Sequence, residues 1–163
     1  MSNLWLIRHG QTDWNLEDRY QGQTDTSLNE VGLDQARRLA EYLVCQGAEF
    51  QAIYSSDLHR AFQTAESLSR RLDLPLRSDK RLREIYLGSW EGKTEGEILQ
   101  ESSQCLRTGY VSPDGETLEQ VAERIASAVD DYARLFPQGD VLVVSHGFIL
   151  AVLVCLARQQ PVA

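Results

Sequence analysis

Two stretches near opposite ends of this 163-residue chain are written in the same way. Leu4-Trp5-Leu6-Ile7 runs into Arg8-His9-Gly10, and Val141-Leu142-Val143-Val144 runs into Ser145-His146-Gly147. Four consecutive apolar residues are too few for a helix and read as strands buried in a parallel sheet. Each strand stops at a histidine followed by glycine, and the chain holds only three histidines. In open α/β sheets, ligands sit beyond the carboxyl ends of the strands, so both imidazoles stand where chemistry is done. An Arg-His pair taken alone also reads as a surface turn; the recurrence of His-Gly after a second strand argues against that.

The intervals between these stretches supply the crossovers. Leu16 to Ser27 is polar and reads as a loop around Gly22. Asn29 caps a predicted helix from Glu30 to Gln46, closed by Gly47, with Ala36, Leu39, Ala40, Leu43 and Val44 on its buried stripe. Phe50 to Tyr54 reads as a second strand. Ser55 or Ser56 then caps a helix through Leu72, with Ala61, Ala65, Leu68 and Leu72 inward, ended before Pro75. Leu76 to Ser78 reads as a third strand, and Leu82 to Gly115 as a glycine-rich excursion with one short helix near Gly96 to Leu106. Thr117-x-x-Gln120 has the form of a capping box opening a helix to Phe136, with Val121, Ile125, Ala128, Val129 and Tyr132 inward. Beyond the strand at 141–144, the helix from Gly147 is apolar almost all round, which predicts that it is sandwiched inside. Strands alternating with helices of these lengths predict one domain over residues 1–163. Its expected fold is α/β, a three-layer sandwich with a mostly parallel central sheet and helices on both faces.

Charge and cysteine content narrow the partners. A net charge of −8 argues against nucleic acid and anionic membranes as general partners, yet leaves room for a locally basic phosphate site. Cys45, Cys105 and Cys155 are odd in number and far apart, so they predict neither a disulfide framework nor metal-ligand spacing, and a reducing cytoplasm is expected. Met1-Ser2-Asn3 leads straight into the first strand, so no signal peptide is expected. Phe148 to Ala157 is too short to span a bilayer.

Two further places attract chemistry. Arg60 falls in the first turn of the helix after Tyr54-Ser55-Ser56, where free N–H groups and the positive dipole end favour an anion. Its guanidinium adds a planar fork of donors matched to phosphate. Glu84 opens the stretch Arg83 to Gly92; a carboxylate in such a loop is ordinarily just solvated. His59, beside Arg60, reads as a surface or pocket-rim residue.

Arg8-His9-Gly10, Asn15, Gln21-Gly22, Tyr54-Ser55-Ser56 leading to Arg60, Leu82-x-Glu84 with Gly88-x-Trp90-Glu91-Gly92, and Ser145-His146-Gly147 occur in one order along the chain. Together, over Leu4 to Leu156, they resemble the histidine phosphatase superfamily, in the branch similar to cofactor-dependent phosphoglycerate mutase. The resemblance implies that His9 is the nucleophile that becomes phosphohistidine, its other ring nitrogen pinned by a hydrogen bond. It implies Arg8, Arg60 and His146 around the non-bridging oxygens, and Glu84 as the acid that protonates the departing alkoxide and then activates water. Burial raises a carboxyl pKa and neighbouring arginines lower it, so which wins at Glu84 stays open here. Asn15, Gln21 and Gly22 are similar to substrate-contacting positions of the family's first loop, and Gly147 is expected to offer its N–H to the phosphate. No metal and no cofactor is expected.

The link from Glu84 to Thr117 is short, as in phosphatase and α-ribazole phosphatase-like members, which implies hydrolysis of a small phosphorylated metabolite. Phosphoglycerate mutase-type transfer and a non-catalytic phospho-ligand module are the alternatives. The chain departs from the family in being short at its C-terminus, where members continue through another strand, and in a lean excursion at Glu95 to Gly115. An edge left open in this way would expose backbone groups, so a partner subunit, in a homodimer, is its expected cover. Trp14, Tyr20, Tyr86 and Trp90 are candidates for the substrate rim, with core packing as the alternative for each.

Overall fold

The protein is described here from a computed structural model, in which residues 2–101, 112–158 and 160 are placed. Four strands, β1 (Ser2–Arg8), β2 (Ala52–Ser55), β3 (Leu76–Ser78) and β4 (Gly139–Ser145), form one sheet in the order β1-β4-β2-β3. Every pairing in it is parallel. The helices α1 (Asp13–Leu16), α2 (Glu30–Cys45), α3 (His59–Leu72), α4 (Glu95–Glu101), α5 (Leu118–Leu135) and α6 (Gly147–Ala157) make the crossovers and flanking layers.

β4 is the central strand, and its alternation assigns the two layers. Val141 and Val143 face a cluster with Val121, Ile125 and Tyr132 of α5 and Ile149 and Val152 of α6. Leu142 and Val144 face the opposite cluster, with Ala40 and Leu43 of α2 and Ala61, Ala65 and Leu68 of α3. The predicted three-layer sandwich is therefore the observed one. Its helix starts were legible in part. Asn29 Oδ1 accepts the Gly32 N–H, and Thr117 with Gln120 closes a reciprocal capping box at α5.

Three expectations are corrected. Among the described residues β1 is an edge strand, not a buried one: Trp5 is 44% exposed, packed edge-to-face on Phe50 and tied by its Nε1–H to Asp140. α6 is not sandwiched, because beyond β1 no described strand or helix covers its outer side, and Val154 remains 39% exposed. Neither Ser55 nor Ser56 caps α3; Ser55 ends β2, and the helix begins at His59 after Leu58. Just ahead of the predicted loop, Thr12 and Asn15 close a capping box around the single turn α1, an element the sequence reading did not assign. The short helix of the excursion is seen from Glu95 to Glu101; its expected continuation to Leu106 lies outside the described residues, as does Cys105.

Candidate active site

The parallel register of β1 and β4 aligns Arg8 with Ser145, so His9 and His146 leave neighbouring strands at the same level. A bond from the His9 N–H to the Ser145 carbonyl (3.0 Å) ties the two exits together. The imidazole rings stand 5.2 Å apart, centroid to centroid, at 58°. His9 Nδ1 lies 2.7 Å from the Gly10 carbonyl oxygen. A carbonyl only accepts, so Nδ1 carries the proton and Nε2 keeps its lone pair. Burial, reinforced by the charges of Arg60 and Arg8, holds the His9 pKa down to about 4 against the opposing Gly10 bond. The ring is neutral at physiological pH.

His146 is fully buried as the N-cap residue of α6, and neither of its ring nitrogens has a partner among the described residues. Burial, with Arg60 next, drives its pKa well below the ordinary histidine value. The site thus has two fixed guanidinium charges and a neutral second histidine, rather than a ring of cations. An unpartnered buried N–H or lone pair is costly, and in this position it stands ready for a ligand.

Arg60 is 1% exposed, although it is the second residue of its helix. Its Nη1 donates to the Thr24 carbonyl (2.8 Å) and its Nη2 to the Gly22 carbonyl (2.7 Å), while Nε has no partner. The same loop caps α3: Thr26 O accepts the Arg60 N–H, and the Asp25 carboxylate accepts the His59 N–H and meets the His59 ring. This long-range cap replaces the local serine cap, and it leaves His59 exposed at the surface, as expected. Burial lowers the Arg60 pKa to about 10, with Glu84 the foremost opposing charge, and the group stays cationic at neutral pH.

Glu84 accepts from the Ile85 N–H (3.0 Å) on one carboxyl oxygen and from the Phe148 N–H (3.3 Å), in the first turn of α6, on the other. Both bonds and the charges of Arg60 and Arg124 favour the carboxylate, yet enclosure by protein outweighs them and raises its pKa. Of the two opposing influences left open by the sequence, burial wins, and the shift is upward.

Arg8, His9, Asn15, Gln21, Gly22, Arg60, Glu84 and Gly147 all line one cavity of about 270 Å³. His146 is not on its wall; its ring stands beside that of His9. Gly22 needs its glycine twice over: its φ is +52°, and a Cβ would run into the Glu91 carboxylate. At Gly147 a Cβ would sit 3.6 Å from the Arg8 guanidinium, which lies across the start of α6. Asn15 spends its carboxamide oxygen on the Thr12 N–H, and Gln21 its own on the Thr26 hydroxyl. Both are thus loop-builders as well as wall residues. A second cavity of about 780 Å³, reaching Trp14, Gln35 and Thr94, shares Arg8, His9, Asn15, Arg19 and Tyr20 with it. Of the four aromatic candidates for the rim, Trp14 and Tyr20 line these cavities and Trp90 is core. Tyr86 is exposed and lines neither.

Residues 4–163 match the family model described as Histidine phosphatase superfamily (branch 1). The chain belongs to that superfamily. It is 36% identical over 173 residues to the glucosyl-3-phosphoglycerate phosphatase of Mycobacterium tuberculosis, covering 98% of this chain and 77% of that protein. A solved mycobacterial structure of that name, complexed with VO3, superposes with a TM-score of 0.87 at 36% identity, covering 96% of this chain and 80% of the other. The alpha-ribazole phosphatase of Shigella flexneri gives 0.87 at 27% identity, over 98% and 81%. The "Probable phosphoglycerate mutase GpmB" of Yersinia pestis is 34% identical over 167 residues, 99% of this chain and 77% of that protein.

Within this histidine phosphatase site, sequence reasoning assigned no part to Glu91. Its carboxylate accepts from Gln23 N (2.8 Å), Leu87 N (3.2 Å) and the Thr24 hydroxyl (2.6 Å), fastening the Gly22 loop to the segment after Glu84. It stands inside the quoted motif Gly88-x-Trp90-Glu91-Gly92, so its position was visible and its partners were not. Among the described residues, no group of three His, Cys, Asp or Glu side chains is placed to hold a metal ion.

Proposed function

We propose that this chain is a phosphomonoester hydrolase that acts on a small phosphorylated metabolite through a phosphohistidine at His9. The observation that carries the reading is the His9 ring: Nδ1 is tied to the Gly10 carbonyl and Nε2 is free, in a cavity that also holds Arg8, Arg60 and Glu84. Nε2 attacks phosphorus as the ester P–O bond breaks, and Glu84 gives its proton to the departing alkoxide. Water then attacks the phosphohistidine, Glu84 takes the water's proton, and the P–N bond breaks to release phosphate and neutral His9. Charge in the loose transition state spreads over the non-bridging oxygens, so Arg8, Arg60 with its unpartnered Nε, and the N–H of His146 act by position and field. Asn15, Gln21, Gly22 and the Gly147 N–H complete the cradle. The names of the mycobacterial and Shigella relatives, both phosphatases of phosphorylated metabolites, support the reading, as does the phosphoryl mimic VO3 in the mycobacterial complex.

Rapid quench with a labelled phosphomonoester tests it. Label trapped at His9, absent in His9→Ala and released as inorganic phosphate, is the expected result. Transfer of label to a second hydroxyl would make the chain a mutase, and no label at all would make it a binder.

The open edge of β1 supports a second copy as partner, because two identical edges joined by a two-fold axis pair antiparallel and satisfy each other's backbone groups. Sedimentation showing only monomers at assay concentration would remove that part. A cytoplasmic setting is supported by the free thiols of Cys45 and Cys155, and the net charge of −8 supports partners other than nucleic acid or membrane. Among the described residues, no helix is long and apolar enough to cross a membrane.

A further inference from the structure

Glu84 is carried by a segment with no ladder of its own: a 3-10 turn ends at Leu82, and the chain then runs irregularly until Gly88. Yet a general acid has to be held to within a fraction of an ångström of the leaving oxygen, since a misplacement of about 1 Å costs on the order of 10²-fold in rate. Something outside the segment must hold it.

The holder is one side chain of α5. Arg124 Nη1 donates to the carbonyls of Arg81 (2.5 Å) and Arg83 (2.7 Å), and Nη2 to the carbonyl of Glu84 itself (3.1 Å). Its Nε and Nη2 donate to the two oxygens of Glu116 (2.8 and 3.0 Å). The five N–H donors of a guanidinium are thereby matched by five acceptors. Glu116 continues the brace on the far side of Glu84, where it accepts the Tyr86 N–H (2.8 Å) and its own N–H donates to the Tyr86 carbonyl (2.9 Å). Gln23 links the brace to the substrate loop, donating from Nε2 to the Glu84 carbonyl (3.1 Å) and to Glu116 (3.3 Å). The ion pair is largely buried, with Arg124 and Glu116 side chains 16% and 20% exposed. A lone Arg or Glu there would be an uncompensated charge, so the pair stands or falls together.

We propose that Arg124, seated by Glu116, is the positioning residue of the general acid: it grips the backbone on either side of Glu84 and aims the carboxyl at the leaving oxygen. The proposal rests on the reading of Glu84 as that acid. Arg124 itself is outside the substrate cavity.

The test compares two substrates. Glycerol 2-phosphate releases an alkoxide that needs a proton; p-nitrophenyl phosphate releases a phenolate that does not. In Arg124→Gln, kcat/KM for the alkyl ester is expected to fall on the order of 10²-fold while the aryl ester loses less than about threefold. Arg124→Lys, with charge but three donors, is expected between these limits. A purely structural loss lowers the amount of active enzyme and scales both substrates equally, so the alkyl-to-aryl ratio reads positioning alone. If Arg124→Gln does not fold, Glu116→Gln gives the same ratio test, with a smaller change in the same direction expected. Glu84→Gln is the reference. Equal slowing of both substrates in Glu84→Gln would overturn the acid reading and this proposal with it. Selective slowing in Glu84→Gln, with an unchanged ratio in the Arg124 and Glu116 variants, would overturn the proposal alone. In Glu84→Gln/Arg124→Gln the ratio is expected to equal that of Glu84→Gln, because the brace has nothing left to aim.

Discussion

Acidification should destabilise this protein through its own active site, in an amount set by His9. Well above pH 6.5 the ring is neutral in both the folded and the unfolded chain and costs almost nothing. Below it, the unfolded chain binds a proton that the folded site refuses until about pH 4. Taking those two values, linkage gives a penalty of about 2 kcal/mol at pH 5 against about 0.2 kcal/mol at pH 7. His146 is shifted in the same direction and adds to it. Glu84, whose shift is upward, gains from acid and offsets part of the loss in the wild type. It does so equally in a variant that keeps it. The assay is therefore a difference of differences: thermal unfolding of wild type and His9→Gln at pH 7 and pH 5, in phosphate-free buffer so that no ligand fills the site. For a domain of this size, the wild-type Tm should drop roughly 4–7 °C further than that of the variant. Equal drops in the two proteins would refute the claim that His9 is held neutral by burial and by its two arginines.

Three further outcomes follow from the same geometry. The kcat/KM profile should rise through about pH 4 as His9 deprotonates and fall as Glu84 loses its proton, at a pH above the ordinary glutamate range; Glu84→Gln should abolish the alkaline limb, and a limb that survives would assign it elsewhere. Gly22→Ala forces a Cβ at φ +52° into the Glu91 carboxylate and should cost about 1–3 kcal/mol with a raised KM, read from Tm and steady-state kinetics. Unchanged values of both would show that the loop relaxes freely. Arg60→Lys cannot span the carbonyls of Gly22 and Thr24 together, and should lower kcat/KM on the order of 10²–10³-fold. A loss under tenfold would remove the bidentate anchor from the account.

What could be read along the chain, and what could not, divides by how far a residue reaches. The strands ending in His9 and His146, the Asn29 cap and the Thr117–Gln120 box each lie within a few consecutive residues, and each is found where the spacing put it. Apart from the local turn capped by Thr12 and Asn15, the misplaced features depend on neighbours distant in sequence. Asp25 and Thr26 cap α3 across some 34 residues, which no local serine signal could foretell. The open side of β1 and α6 depends on which element lies next in the sheet, and an apolar run reads the same at an edge as at the centre. The protonation of Glu84 is a balance between enclosure and two arginines, and neither weight exists before the fold does.

The same distinction explains why the groups on the cavity wall were legible and their supports were not. A side chain that must meet a phosphate at a strand end is restricted in type and in distance from that strand, and this leaves a short pattern. Arg124 works on backbone carbonyls, which every residue has, so the segment it grips needs no particular side chains and leaves no pattern to find. Glu91 is the intermediate case: it acts on the N–H groups of Gln23 and Leu87, equally anonymous in sequence, but its approach requires Gly22 to lack a Cβ. That one steric demand is the trace by which a supporting carboxylate shows itself, and it is why Gly22, more than Gln21 or Asn15, marks where the substrate loop is fastened.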